Sequence, residues 1–107
     1  MSNTAQHGHV YRVTAEPDIS LLGLVVSVDP VNSAEDSCNI VMVTRDRSVP
    51  EGLPRWVRMV SGDPTAGHIV CHDINTVAQE YLQESLGPVT LETQIKVNQV
   101  LKRTLGL

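Results

Sequence analysis

A chain of 107 residues, 41% of them apolar, with twelve acidic residues against eight basic ones and a net charge of −4, is one domain's worth of sequence with a modest core. Its apolar content argues against wholesale disorder, and its apolar runs fall well short of the roughly 20 residues a membrane-spanning helix needs. An acidic balance also excludes a nucleic-acid binder that works through its overall field, so any phosphate contact requires a local basic patch.

Such a patch is available. Arg12, Arg45, Arg47, Arg55 and Arg58 are five of the eight basic residues, and four of them fall between Arg45 and Arg58. Lys96, Lys102 and Arg103 lie near the C-terminus. Phe is absent and Trp56 is the single tryptophan, so platforms for stacking bases are scarce. Cys38 and Cys71 form no CxxC pair, and reduced thiols are expected rather than a zinc or redox site. His7, His9 and His68 have no partner at ligand spacing, so neither a metal nor another cofactor is expected. Met1 to Val10 is polar and has no apolar signal core, which predicts a soluble cytoplasmic protein.

In chain order, residues 1–8 read as a loose leader to a single domain spanning 1–107. His9 to Val13 alternates like a strand, and Glu16-Pro17-Asp18 breaks it. Leu21 to Val28 is a continuous apolar run stopped by Pro30, which predicts a buried strand. Asn32 to Ser37 reads as a polar turn. Asn39 to Val43 predicts a second buried strand that delivers Thr44 and Arg45 at its end. Arg47 to Pro54 reads as a surface loop. Arg55 to Val60 alternates, with Trp56, Arg58 and Val60 on one face and Val57 and Met59 on the other. Ser61 to Pro64 is a turn, and His68 to Cys71 a short strand. Thr76 to Ser85 has a weak helical reading, interrupted at Leu86-Gly87-Pro88.

The final segment gives the clearest helix. Thr90 suits an N-cap, Glu92 falls in the first turn and Lys102 and Arg103 in the last, and Gly106 suits the end. Leu91, Ile95, Val97, Leu101 and Leu105 are expected on the buried face. Short strands separated by turn residues and followed by one helix predict a mainly β fold with α, a small barrel or half-open sheet closed by the helix.

Several of these segments together resemble the MazF/PemK toxin family. Gly8-x-Val10-Tyr11 precedes Leu24-Val25-Val26-Ser27-x-Asp29-x-x-Asn32, and a strand from Ile40 to Val43 leads to Thr44. Leu53-Pro54 stands before Trp56-Val57. His68-Ile69-Val70-Cys71 runs on to Ile74-Asn75-Thr76-Val77, and Leu86-Gly87-x-Val89-Thr90 opens the closing helix. The resemblance implies an SH3-like barrel with a C-terminal helix, usually homodimeric. It also implies a metal-independent endoribonuclease that cuts single-stranded mRNA and is restrained by a cognate acidic antitoxin.

Metal-free RNA cleavage requires removal of a proton from a 2′-hydroxyl, charge stabilisation at the phosphate and a proton for the leaving 5′-oxygen. The family's arginine before the apolar strand is replaced here by Leu21 and Leu22. The family's hydroxyl residue after the third strand corresponds to Thr44. Arg45, next to it, is the expected replacement cation. His72 is the expected acid or base, with Asp73 to orient it. Arg47, Arg55 and Arg58 are expected to contact RNA. The alternative reading is a catalytically inactive relative that binds RNA, an antitoxin or another protein. A gyrase-poisoning toxin of the related CcdB fold fits less well, because that group uses a C-terminal tryptophan and Trp56 is mid-chain.

Overall fold

The computed structural model describes residues 4–16 and 19–107. Strand β1 covers His9–Glu16 and β2 covers Ile19–Val25. A short helix α1 covers Asp29–Ala34, and β3 covers Ser37–Thr44. Strand β4 is Trp56–Arg58, β5 is His68–Ala78 and β6 is Leu82–Pro88, with a single 3-10 turn at Gln79–Tyr81 between the last two. Helix α2 covers Leu91–Leu105. All six strands pair antiparallel in the order β4-β5-β3-β2-β1-β6. The three-residue β4 and β6 are the two edges of this curled sheet.

Alternation of side chains across the sheet sorts the apolar residues into two clusters. Val10, Leu22, Leu24, Val41, Val43, Val57, Ile69 and Cys71 point to the face that α2 covers with Val97 and Val100. Tyr11, Val13, Val25, Cys38 and Ile40 point the other way and pack with Ala5. Both cysteines are free and buried, and burial raises both thiols, Cys71 to about 11.

Residues 4–8, expected as a loose leader, are held in place. Ala5 is buried, its amide donates to Gln79 Oε1 at 2.8 Å, and the His7 amide donates to Asp29 Oδ1 at 2.8 Å. The expected break at Pro17 and Asp18 lies outside the described residues. The first turn of α1 contains Pro30, which tolerates that position because its missing N–H would be unpaired there anyway. The polar stretch read as a turn therefore begins as a helix. Thr76 to Ser85 is not helical: it completes β5, turns once, and starts β6. Pairing with β3 and β1 overrides the local preference of Ala78-Gln79-Glu80.

Two polar networks fix these connections. Near the start of β3, Ser27 Oγ donates to Asn32 Oδ1 at 2.6 Å and accepts from the Asn39 amide at 3.0 Å, while Asn32 Nδ2 donates to the Ser27 carbonyl. Gln79 Nε2 donates to the carbonyls of Asn32, Glu35 and Ser37. The Ser-x-Asp-x-x-Asn segment thus serves as a joint.

The second network sets the rotation of α2. Asp63 accepts from the Thr93 hydroxyl, the Thr90 amide and the Val60 amide at 2.5, 2.7 and 2.7 Å. Thr90 Oγ1 caps the helix by accepting from the Thr93 amide, and Gly106, at φ 72, ends it. Burial alone would raise the Asp63 carboxyl, but the bonds from Thr93, Thr90 and Val60 outweigh it and hold it below the usual value. Thr93, Val97 and Val100 therefore face the core. Leu91, Ile95 and Leu105, expected inside, lie on the solvent side at 76%, 47% and 54% exposure.

The β3–β5 ladder contains one large irregularity. Met42 faces Val70 but Val41 faces Ile74, so Cys71, His72 and Asp73 bulge from β5.

Candidate active site

Three strands bring three chemically distinct side chains into one row. Thr44, at the end of β3, is the register partner of His68, the first residue of β5. His68 is in turn the partner of Arg58, the last residue of β4. Directly opposed residues project to the same face, with β-carbons about 5 Å apart, so a hydroxyl, an imidazole and a guanidinium stand side by side. Gly67 makes this row possible. At φ 136 it lies against Thr44, and a β-carbon there would strike the Thr44 carbonyl oxygen.

Beside the row is a groove of about 490 Å³. Arg45, Arg47 and Arg58 line it together with Asp46, Glu51 and His68. Arg45 is positioned by donating from Nε to Thr65 Oγ1 at 3.1 Å. The loop after β3 is folded back on itself: the Asp46 amide donates to Thr44 Oγ1, and the Ser48 amide and hydroxyl both donate to Asp46 Oδ1. Those two bonds hold the Asp46 carboxyl below its ordinary value. Arg58 pairs with Glu51 at 3.0 Å, but both side chains are largely exposed, and such a pair is readily exchanged for another anion. Three guanidiniums against two carboxylates make this groove locally cationic within an acidic chain.

A smaller hollow of about 270 Å³ adjoins it, lined by Leu53, Trp56 and His68 among others. The Trp56 indole packs between two histidines, with ring centroids 6.4 Å from His68 and 6.0 Å from His72. Trp56 is half-buried, and an accessible indole is the kind of element a base stacks upon.

The residues singled out in the sequence are distributed as follows. Arg45, Arg47 and Arg58 line the groove, and Thr44 stands beside it as the register partner of His68. Arg55 is exposed at the head of β4 and lines neither hollow; its carbonyl accepts from the Cys71 amide. His72 is exposed on the bulge, across Trp56 from the row. Asp73, expected to orient His72, instead accepts from Asn75 Nδ2 at 2.9 Å. Of Leu21 and Leu22, which hold the place where the resemblance expects an arginine, Leu22 is buried in the core and Leu21 is 41% exposed. His68 was not singled out, because only strand pairing reveals that residues 44, 58 and 68 are neighbours. Among the described residues no three His, Cys, Asp or Glu side chains are grouped as a cation site requires. Among them, too, no helix is long and apolar enough to cross a membrane.

A six-stranded antiparallel sheet with a terminal helix and a cationic groove at the end of its third strand defines a small, mainly β protein whose local charge there is opposite to its net charge. Residues 9–105 match the PemK-like, MazF-like toxins of type II toxin–antitoxin systems, and the chain belongs to that family. It is 32% identical to the endoribonuclease MazF4 of Mycobacterium tuberculosis, covering 98% of this chain and 96% of that protein. An endoribonuclease MazF1 of Mycobacterium bovis matches to the same extent. Among solved structures, a mycobacterial endoribonuclease in complex with its cognate antitoxin superposes with a TM-score of 0.86 at 30% identity, over 96% of each chain. The MazE–MazF complex of Deinococcus radiodurans, at 18% identity and a TM-score of 0.83 over 98% of each chain, shares the fold.

Proposed function

We propose that this chain is a growth-arresting toxin that cleaves single-stranded mRNA without a metal, and that the Thr44–Arg45–Arg47–Arg58 groove binds the scissile phosphate. The observation that carries this reading is the convergence of three arginines beside a strand-end hydroxyl in a chain whose net charge is negative. Guanidinium groups form paired hydrogen bonds to phosphate oxygens and stabilise the charge that builds on them during displacement. Arg45 supplies the cation that Leu22 does not. Trp56, flanked by His72, offers a stacking face for a base next to the cleaved bond. Asp73 sets the bulge through Asn75, and Arg55 contacts RNA beyond the groove.

The same reading includes a cognate acidic antitoxin and a homodimer. The open edge of β4 and helix α2 enclose a groove of about 340 Å³ lined by Arg58, Lys96 and Arg103. An acidic extended segment suits that edge, with main-chain pairing to β4 and charge matched by the three cations. The exposed stripe of Leu91, Ile95 and Leu105 suits a second copy of the chain. The toxin acts in the cytoplasm, where mRNA is its target.

Incubating the purified protein with a long RNA in EDTA tests the central claim: defined fragments are expected, and intact RNA would remove it. Arg45→Ala and His72→Ala are to be assayed in parallel, since unchanged cleavage in both would detach the chemistry from those residues. Leu22 in the core favours the inactive binding module as the second reading. Under it the RNA is retained on the protein but stays whole, and expression is tolerated by a bacterial host instead of arresting growth.

A further inference from the structure

We propose that His68 is the proton-transfer residue of this site, removing the proton from the attacking 2′-hydroxyl. The inference rests on the RNA-cleaving reading above and adds to it a residue that carries the chemistry.

Position is the first argument. His68 is the middle member of the row, opposed to Thr44 on one side and Arg58 on the other. It lines both the arginine groove and the Trp56 hollow. A phosphate held by Arg58 and Thr44 therefore has the imidazole as its immediate neighbour, while a base stacked on Trp56 places its ribose between the two hollows. His72 lies four residues further along β5, on the far side of the indole.

Freedom of the ring is the second argument. His7 Nδ1 is bonded to the Ser27 carbonyl and His9 Nδ1 to Ser85 Oγ, so neighbouring groups bias their tautomers. The His68 ring makes no hydrogen bond among the described residues, and its Nδ1 is enclosed with no partner. Leaving such an atom unpaired is costly and calls for an explanation, and a ligand or a catalytic role is one that fits its place in the row. No protein group fixes which ring nitrogen carries the proton. The ring is therefore not committed to any described protein partner.

In the step assigned to it, a ring nitrogen of neutral His68 accepts the 2′-hydroxyl proton as the 2′-oxygen bonds to phosphorus. The bond from phosphorus to the 5′-oxygen breaks, and that oxygen leaves with the electron pair and takes a proton from solvent. The imidazolium later returns its proton to solvent. Arg58 and Arg45 stabilise the charge on the phosphate throughout.

The test compares His68→Ala, His68→Gln and His72→Ala with the unaltered protein, measuring cleavage of a long RNA under single turnover and RNA binding separately. Both His68 variants are expected to lose about 100-fold or more in rate, the usual scale for a general base, with binding changed less than about threefold. Added imidazole is expected to restore part of the rate to His68→Ala, with a pH dependence that follows the free base. His72→Ala, which alters the flank of the Trp56 stacking face, is expected to lose less rate than either His68 variant. If the unaltered protein cuts RNA and both His68 variants cut it within about threefold of that rate, the assignment is wrong while the ribonuclease reading stands. Loss of binding in proportion to rate, with no rescue by imidazole, overturns it in favour of a positioning role. Should His68→Ala unfold by circular dichroism, the folded His68→Gln decides between these outcomes. An unaltered protein that leaves the RNA whole overturns the ribonuclease reading itself.

Discussion

The two ends of β3 are built on opposite principles. At Ser37 the strand enters through a joint where the Ser27 and Asn32 side chains bond each other and those of Asn32 and Gln79 satisfy four backbone carbonyls, with Asn32 buried at 2% exposure. At Thr44 it leaves among three arginines and a histidine whose groups are mostly exposed, weakly paired or unpaired. Hydrogen-bonding capacity consumed internally fixes a frame; capacity left unspent faces a ligand. The polar residues at one end serve the frame and those at the other, under the proposed function, serve the site, although both ends look similarly polar in the sequence.

Substitutions at the two ends should separate cleanly along that division. The largest effect is expected at the open end. Arg45→Ala should lower RNA cleavage by about 100-fold, the scale of removing one charge-stabilising donor, and leave the unfolding midpoint in urea nearly unchanged. A large drop in that midpoint would show that Arg45 is structural and erase the contrast.

At the closed end, Gln79→Ala removes three bonds to carbonyls and one from the Ala5 amide. A loss of about 2 kcal/mol in unfolding free energy is expected, with the remaining folded protein cutting RNA at its normal rate. If that variant is instead as stable as the parent but slower, the joint communicates with the groove and the two ends are not independent.

The Asp63 network provides an acid-sensitive reference that lies outside both ends. Its carboxyl lies below the ordinary value of about 3.9 when folded, so its stabilisation is complete above that pH and is lost as pH falls through the folded value. The stability difference between the parent and Asp63→Asn should therefore be constant from pH 7 to about pH 5 and shrink below about pH 4, as read by thermal unfolding. A difference that persists unchanged at lower pH would mean that the shape of the turn, and not the charge, holds α2. The smallest effect is expected from Thr90→Ala, about 1 kcal/mol for a lost helix cap, with RNA cleavage untouched.

What the sequence disclosed follows the range over which each feature is determined. The apolar runs at Leu21–Val28 and Asn39–Val43 and the caps at Thr90 and Gly106 are local, and they predict β2, β3 and α2, although β2 runs from Ile19 to Val25 and ends before the apolar run does. The rotation of α2 is not local. Leu91, Ile95 and Leu105 are the more hydrophobic choice for the core, yet Thr93 is inside because Asp63, distant in sequence, accepts its hydroxyl. Thr76 to Ser85 misleads for the same reason, since Gln79 acts on the loop before β3. The cationic groove was half visible: Thr44 with Arg45 and Arg47 are near neighbours, and Arg58 follows in the same arginine-rich stretch. His68 was invisible as a member, because its neighbours are set by two registers that no short window contains. Asp73 beside His72 suggested a pair, but the bulge sends its carboxylate to Asn75.

That bulge has a consequence for how such a surface can change. Val41 and Ile74 resume pairing after Cys71, His72 and Asp73 have stepped out of line. The two exposed members of that trio, His72 and Asp73, are thus free of ladder constraints on the β3 side, and their identities can drift while the strands on either side keep their alignment. Variation confined to this one outward step would reshape the surface beside Trp56 and leave the scaffold intact.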